Sequence, residues 1–388
     1  MEKRMKRSTF ILFLLNGSLL LSTFTSGCQS SMSPITVQPP GLIKADPQDI
    51  LAGEMKSEKI YHDGKHNAFT GLCSWNDQIV VVFRHASSHM SFDGVIKVSA
   101  SKDGRHFDEL SQISIDNYDL RDPKILNVDG TLYLYTGSVD GADPSRKTTV
   151  SRLYTSTDGK NWQEKTISGL LPDSWLWGIH YNGKEFYGSA YIRNINNSGK
   201  TGAALYRSKD GANWEHFFDV PRSNANEIFL DTDQNGTLYA LVRNSDLPYY
   251  PQLLTIEDPG KPNTFSMREL PFTLQGPFLK RFDDGVLLIG RRWEEPGSPA
   301  FFGGEGIYAP RMEMIYLKDD LTIRRLGIIP SLFDCSYAGW AELPDGTVAI
   351  SYYSCQEGDK DWHSPGIYMM TLPASVFTKA GIQNMNEH

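Results

Sequence analysis

Cysteine is scarce in this 388-residue chain: Cys28, Cys73, Cys335 and Cys355 are too few and too scattered for a disulfide framework or a zinc cluster. No phosphate-binding loop and no dinucleotide fingerprint occurs, so no metal and no organic cofactor is expected. Positive charge is also short. The net charge is −8 and no basic stripe runs along the chain, which argues against a nucleic-acid partner. That global sign does not exclude an anionic substrate, because a local arginine cluster can oppose it. No stretch has the apolar period of a long helix. The apolar run 10–21 is too short for a stable membrane span.

What the N-terminus does carry is an export signal. Residues 1–7 are positive, 10–21 are apolar, and Thr25-Ser-Gly-Cys28 follows. The small-small-Cys ending resembles the lipobox of bacterial lipoproteins, which implies that Cys28 becomes the lipidated first residue of a membrane-anchored protein. Thr25 stands where that box has leucine, so ordinary signal cleavage is the alternative. The expected organisation is a lipoprotein-type signal over 1–28, a tether over 29–50 whose stretch 30–40 is rich in Ser and Pro, and one large domain over 51–380. Lipidation of Cys28 leaves three cysteines and room for at most one disulfide. Periplasm and cell surface both stay open, and a monomer is expected.

Three segments repeat: Ser101-Lys-Asp-Gly-Arg-His-Phe107, Ser156-Thr-Asp-Gly-Lys-Asn-Trp162 and Ser208-Lys-Asp-Gly-Ala-Asn-Trp214. Their aspartates lie 55 and 52 positions apart, and each segment follows a strand-like run. Aspartate-glycine with Ser two residues before suits a tight turn held by side-chain bonds to backbone amides. Repetition near 50 residues points to β-propeller blades. Strand clusters beginning near Ala68, Asp122, Trp175, Glu227, Gly276 and Tyr337 make six units. The predicted fold is all-β, a six-bladed β-propeller, with residues 42–60 supplying the strand that closes the ring. The repeats sit at turns on the rim opposite the central pocket and do no chemistry.

Residues 223–244 read as strand, turn, strand. Glu227-Ile-Phe-Leu-Asp231 alternates, Asp233-Gln-Asn-Gly236 is a turn, and 237–242 is β-branched and apolar. A hairpin brings its far ends side by side, so Glu227 and Arg243 should meet at the open end. A strand-end ion pair and a pocket-facing carboxylate with its guanidinium are both consistent with that spacing.

The Ser-x-Asp-Gly-x-x-Trp repeats resemble the Asp-boxes of sialidases, over most of residues 60–372. Bacterial exo-sialidases (glycoside hydrolase family 33) present three arginines to the substrate carboxylate, a tyrosine nucleophile with a glutamate beside it, an aspartate acid, and an aspartate near the sugar hydroxyls. Residue by residue, the resemblance implies Arg84 in Phe83-Arg84 as the first arginine, although His85-Ala86 replaces the family's Ile-Pro. It implies Glu227 and Arg243 as the glutamate and second arginine. Arg311, heading a strand after a proline-rich loop, is the third, with Arg291 and Arg292 as competitors. Tyr337 is then the nucleophile and Asp122, before a proline, the sugar-hydroxyl aspartate. Asp93 stands for the acid on a shortened loop, with His89 and His85 as alternatives. Trp175 and Trp177 either line an aglycone site or pack in the core.

The implied chemistry is coherent. A sialic acid carries a carboxylate on its anomeric carbon, which arginines hold by paired charge-assisted hydrogen bonds. A neutral phenol avoids repulsion by that carboxylate, and Glu227 can take its proton, since tyrosine ionises only near pH 10 unaided. The expected function is hydrolysis of terminal α-linked sialic acid, or a related 2-keto sugar acid, from glycans with retention. Other readings stay open: a glycan-binding propeller without catalysis, a polysaccharide lyase using tyrosine and one of His66, His85, His89 or His180, and a furanosidase-like hydrolase, since Arg121-Asp-Pro occurs in such enzymes.

Overall fold

Ile79, Val80, Val81 and Val82 are fully buried and Phe83 is 1 % exposed. Five successive residues inside one strand mean that both of its faces are covered, as a sheet stacked between two others requires. The computed structural model describes residues 45–46, 51, 55–142, 149–192, 201–292, 310–356 and 363–382. Cys28 and the expected signal and tether up to residue 44 lie outside them. The described strands form six antiparallel sheets in chain order. These are the blades of a six-bladed β-propeller: blade one (66–113), two (118–165), three (174–219), four (225–269), five (275–329) and six (336–373). Their first strands begin within four residues of the six starts expected from the sequence.

Closure is by the N-terminal segment. Ser57–Tyr61 pairs antiparallel with Gly366–Pro373 as the outermost strand of blade six, and Ala45–Asp46 adds a parallel fifth strand to blade five. The ring therefore ties its beginning to its end. Cys73, Cys335 and Cys355 are all buried free thiols.

The three repeats adopt one geometry. Ser101, Ser156 and Ser208 each accept a hydrogen bond from the glycine amide three residues on, at 2.9, 2.9 and 3.0 Å. Asp103, Asp158 and Asp210 each accept from the two amides two and three residues on. These turns end third strands, so they share the axial end of the first hairpin turns and lie away from the strand starts that hold the pocket. They also lock blades together. Ser111 of blade one donates to the Gly159 carbonyl of blade two at 2.7 Å, and Tyr135 of blade two donates to that of Gly211 in blade three at 2.8 Å.

The feature that positions the site is a bulge near the start of every first strand. Register slips between Ala68 and Gly71, Arg121 and Lys124, Leu176 and Gly178, Ala225 and Ile228, Gln275 and Phe278, and Ser336 and Gly339. Extra residues at these points cannot join the ladder, and they re-aim their side chains toward the axis. Phe69, Asp122 and Tyr337 occupy the bulges with φ of +62°, +51° and +54°. Left-handed backbone at such residues costs about 1–3 kcal/mol each and persists only under constraint from the surroundings. In blade five the same position is Gly276, at φ +56°, where a Cβ would collide with the Ser336 hydroxyl.

Candidate active site

Bulge residues and their cross-strand neighbours surround one pocket at the axial mouth. Its lining includes Phe69, His89, Arg121, Asp122, Trp175, Tyr191, Glu227, Arg243, Arg291, Asp334, Tyr337 and Tyr353.

One wall comes from blades four and six. The bulge of blade four sets Asn226 and Glu227 opposite Arg243 alone. Arg243 Nη1 lies 2.5 Å from Glu227 Oε1, and the Tyr337 phenol donates to the same oxygen at 2.8 Å. The second oxygen, Oε2, is buried and has no hydrogen-bond partner among the described residues. Burial alone would raise the Glu227 carboxyl, but the charge and hydrogen bond of Arg243, with the bond from Tyr337, bring it below the ordinary glutamate value. The phenol moves the other way. Burial, then the charges of Asp122 and Glu227, push it well above 10. Tyr337 is thus protonated at neutral pH with an anionic acceptor already on its proton. Its ring is wedged against Phe69, Trp177 and Tyr353 at centroid distances of 5.0, 5.6 and 5.9 Å. Thr70 donates to its backbone carbonyl at 2.6 Å, which holds the left-handed turn.

Among the described residues three guanidinium groups reach the pocket, from Arg121, Arg243 and Arg291. Arg243 Nη2 and Arg291 Nη2 lie 3.5 and 3.4 Å from the same Gln275 amide oxygen, a neutral acceptor set between two like charges. Arg121 lies 4.9 Å over the Phe69 ring and donates to Asp119 Oδ2 at 3.0 Å and to the His89 carbonyl at 2.6 Å. Asp122 lines the pocket beside it.

This set corrects the expected clamp. Arg84 is fully buried and outside the lining. Its Nε donates to Asp119 Oδ1 at 2.7 Å, an approach possible because residue 94 is glycine: a Cβ there would run into both groups. Burial holds its guanidinium down at about 10. Arg311 is exposed at the start of the third strand of blade five, paired across from Arg292, and neither lines the pocket. Arg291 does, since it pairs with Gln275 at the edge of the bulge on the second strand. Asp93 is exposed as well, and it accepts from the Ser87 amide and hydroxyl, both at 3.1 Å. Trp175 lines the pocket, stacked on Tyr191 at 6.0 Å, while Trp177 lies beneath Tyr337.

The second wall was not anticipated as a unit. His66 begins the first strand of blade one, His89 lies on the 87–94 connection between the second and third strands of that blade, and Asp334 precedes blade six. His89 Nδ1 is 3.1 Å from Asp334 Oδ2, His66 Nε2 is 3.4 Å from it, and the two ring nitrogens are 3.1 Å apart. Tyr353 donates to Asp334 Oδ1 at 2.9 Å, and Arg291 Nη1 lies 3.3 Å from it. Burial would raise the Asp334 carboxyl, but hydrogen bonds from both histidines and the Arg291 charge hold it well below the usual carboxylate range. Burial also lowers His66, to about 4, so that ring is neutral at pH 7. His89 is the exposed member, with 41 % of its side chain open, and its ring meets the edge of Phe69 at 5.5 Å.

No family model matches this chain, and no curated protein matches it. Solved structures do. A protein of unknown function from Dyadobacter fermentans superposes with a TM-score of 0.66 at 19% identity, over 82% of this chain and 99% of its own. Trypanosoma rangeli sialidase, in complex with the inhibitor DANA, gives 0.61 at 11% identity over 82% of this chain, which spans 57% of that chain. An α-L-arabinofuranosidase from Fusarium graminearum gives 0.60 at 11% identity, over 82% of this chain and 98% of its own. At these identities the likeness is one of fold, a sialidase-like propeller.

Proposed function

We propose that this pocket hydrolyses the glycosidic bond of a terminal α-linked sugar acid, sialic acid or a related 2-keto sugar acid, with retention of configuration. The observation that carries the proposal is the single oxygen Glu227 Oε1, which holds the Tyr337 phenol at 2.8 Å and Arg243 at 2.5 Å. In this reading Glu227 draws the phenolic proton as the tyrosine oxygen bonds to the anomeric carbon. The pair supplies a neutral nucleophile that becomes anionic only as it attacks. A ring carboxylate would take the guanidiniums of Arg121, Arg243 and Arg291, whose forked donors match its two oxygens. Asp122 would accept from the sugar hydroxyls. Water then releases the sugar, and Glu227 returns the proton to the phenolate.

The test is incubation with a panel of α-ketosidic sialic, deaminated and octulosonic acid glycosides, with an aryl α-L-arabinofuranoside included because one structural neighbour is an arabinofuranosidase. Free acid should appear from at least one ketoside. Release of arabinose alone would reject the sugar-acid assignment. Elimination is the second reading, and it has one observation of its own: His89 lines the same pocket as Tyr337. A lyase would leave an unsaturated product that absorbs in the ultraviolet, which hydrolysis cannot make. We further propose that acylated Cys28 anchors the protein at the cell envelope, so that Cys28→Ser should shift it to the soluble fraction.

A further inference from the structure

The reading above leaves the leaving group without a proton donor, because Asp93 is turned to Ser87 outside the pocket. We propose that His89 is the general acid and base of this site, oriented by Asp334, with His66 and Arg84 as positioning residues. The inference rests on the hydrolase reading and deepens it.

Proton placement follows from the donors. A guanidinium only donates, and Arg84 Nη1 lies 3.3 Å from His66 Nδ1 in hydrogen-bond geometry, so that nitrogen accepts. The proton of neutral His66 is therefore on Nε2, facing Asp334 Oδ2 and His89 Nδ1. With Nδ1 occupied and Nε2 already protonated, His66 has no site for a second proton. Asp334 cannot hold one readily either, since Tyr353 and Arg291 engage its other oxygen and its carboxyl lies far below the usual range. A proton that reaches this cluster therefore resides on His89. Its Nδ1–H donates to Asp334, and its Nε2, which has no partner among the described residues, is left for the substrate. The arrangement is the carboxylate–imidazole pair of hydrolytic triads, with the carboxylate holding tautomer and ring and stabilising the imidazolium.

The connection that carries His89 is held by Arg84 and Asp93, both expected to work directly, and by Arg121. Arg84 donates to the Ser88 carbonyl at 3.1 Å and the Ser91 carbonyl at 3.3 Å, Arg121 donates to the His89 carbonyl at 2.6 Å, and Asp93 ties Ser87. In the first step the bond from the anomeric carbon to the leaving oxygen breaks as the Tyr337 oxygen bonds to that carbon. The leaving oxygen takes the His89 Nε2 proton, and Glu227 takes the phenolic one. In the second step water bonds to the carbon, its proton goes to Nε2, and the phenolate departs and recovers its proton from Glu227. Both residues end as they began.

A divalent cation is the rival occupant, because the three facing atoms of His66, His89 and Asp334 lie within 4.8 Å of one another. The Arg84 contact disfavours it. A metal-bound histidine ordinarily donates its second N–H, whereas here the second nitrogen accepts and the facing one bears the proton.

The test compares two leaving groups on the full-length protein, a sialyl-galactoside and a sialyl fluoride. His89→Gln should lose about 10²- to 10⁴-fold on the galactoside. Its first-turnover fluoride release should stay within several-fold of wild type, and an adduct on Tyr337 should accumulate and be visible by intact mass. An unchanged thermal unfolding midpoint would show that the variant folds. Asp93→Ala should show no leaving-group dependence. Equal slowing of both donors by His89→Gln, or the leaving-group signature in Asp93→Ala, overturns the proposal. So does a stoichiometric metal whose chelation abolishes turnover and whose return restores it. If wild type cleaves neither donor, nor the matching galactoside and fluoride of a deaminated or octulosonic acid, or releases an unsaturated product, the hydrolase reading itself has failed.

Discussion

The Phe69 ring touches two clusters: Tyr337, whose phenol Glu227 holds beside Arg243, and the rings of His66 and His89, which meet Asp334. Each wall centres on one carboxylate that accepts from a tyrosine and lies against an arginine: Glu227 with Tyr337 and Arg243, Asp334 with Tyr353 and Arg291. The difference lies in what the carboxylate has left over. Glu227 keeps a buried oxygen without a partner among the described residues, a site open to a proton. Asp334 has both oxygens engaged, by Tyr353 and Arg291 on one and two imidazoles on the other, and can only orient. In the proposed mechanism similar parts thus serve as a base on one wall and a brace on the other, and donor count separates the two.

The largest effect should come from breaking the first wall. Tyr337→Phe keeps the ring against Phe69 and Trp177 but deletes the oxygen, so folding should survive while turnover falls by orders of magnitude. Steady-state kinetics beside an unfolding curve will show it. Near-normal turnover would remove Tyr337 as nucleophile and leave the two walls with no division of labour. Glu227→Gln should approach the same loss.

Breaking the second wall should cost less. Asp334→Asn keeps the shape but removes the charge that stabilises an imidazolium on His89. The loss should stay within the roughly 10²- to 10⁴-fold that general acid help supplies, and should be concentrated on poor leaving groups. If Asp334→Asn instead slows first-turnover release of fluoride as much as that of a galactoside, the carboxylate serves the fold and the walls differ less than their donor counts suggest.

The shared arginines come next. Arg291→Lys should weaken a carboxylate-bearing transition-state mimic by about 1–3 kcal/mol, because a point charge cannot reproduce the fork. Arg311→Lys should leave the inhibition constant unchanged. The reverse result would restore Arg311 to the clamp and leave Arg291 a positioning role beside Asp334 and Gln275.

These assignments also mark where the sequence could be read and where it could not. The six blades were legible because three Ser-x-Asp-Gly turns repeat with a fixed local geometry that owes little to distant contacts. Glu227 and Arg243 were legible because a hairpin pairs its own ends. Arg121 was missed beside Asp122 because strand alternation sends neighbours to opposite faces. The bulge at Asp122-Pro123 suspends that rule and turns both into the pocket. Arg311 was preferred over Arg291 on the proline-rich loop before it, yet only the second strand reaches the mouth beside the bulge. His89 and Asp334 lie 245 positions apart, in a contact that only ring closure creates.

The smallest effect concerns pH, and it separates the walls without any substrate. His66 is buried beside Arg84, His89 and Asp334, and its folded value is about 4 against an ordinary value of 6.5. Between those values the unfolded chain binds a proton there and the folded chain does not. Stability must then rise with pH across the window, be complete above it, and be lost as pH falls toward 4. From pH 5.5 to 6.5 the contribution of this one group is about 1 kcal/mol. His180 is also lowered, chiefly by burial, so the signal is the difference between variants and not the wild-type slope. His66→Gln, followed by chemical denaturation at several pH values, should flatten the slope by that amount. Glu227→Gln should leave the slope between pH 5.5 and 6.5 in place, because Arg243 and the Tyr337 phenol hold the Glu227 carboxyl below its ordinary value. If His66→Gln keeps the full slope, His66 is not the neutral, proton-fixed partner that the contact with Arg84 makes it, and the second wall loses its fixed tautomer.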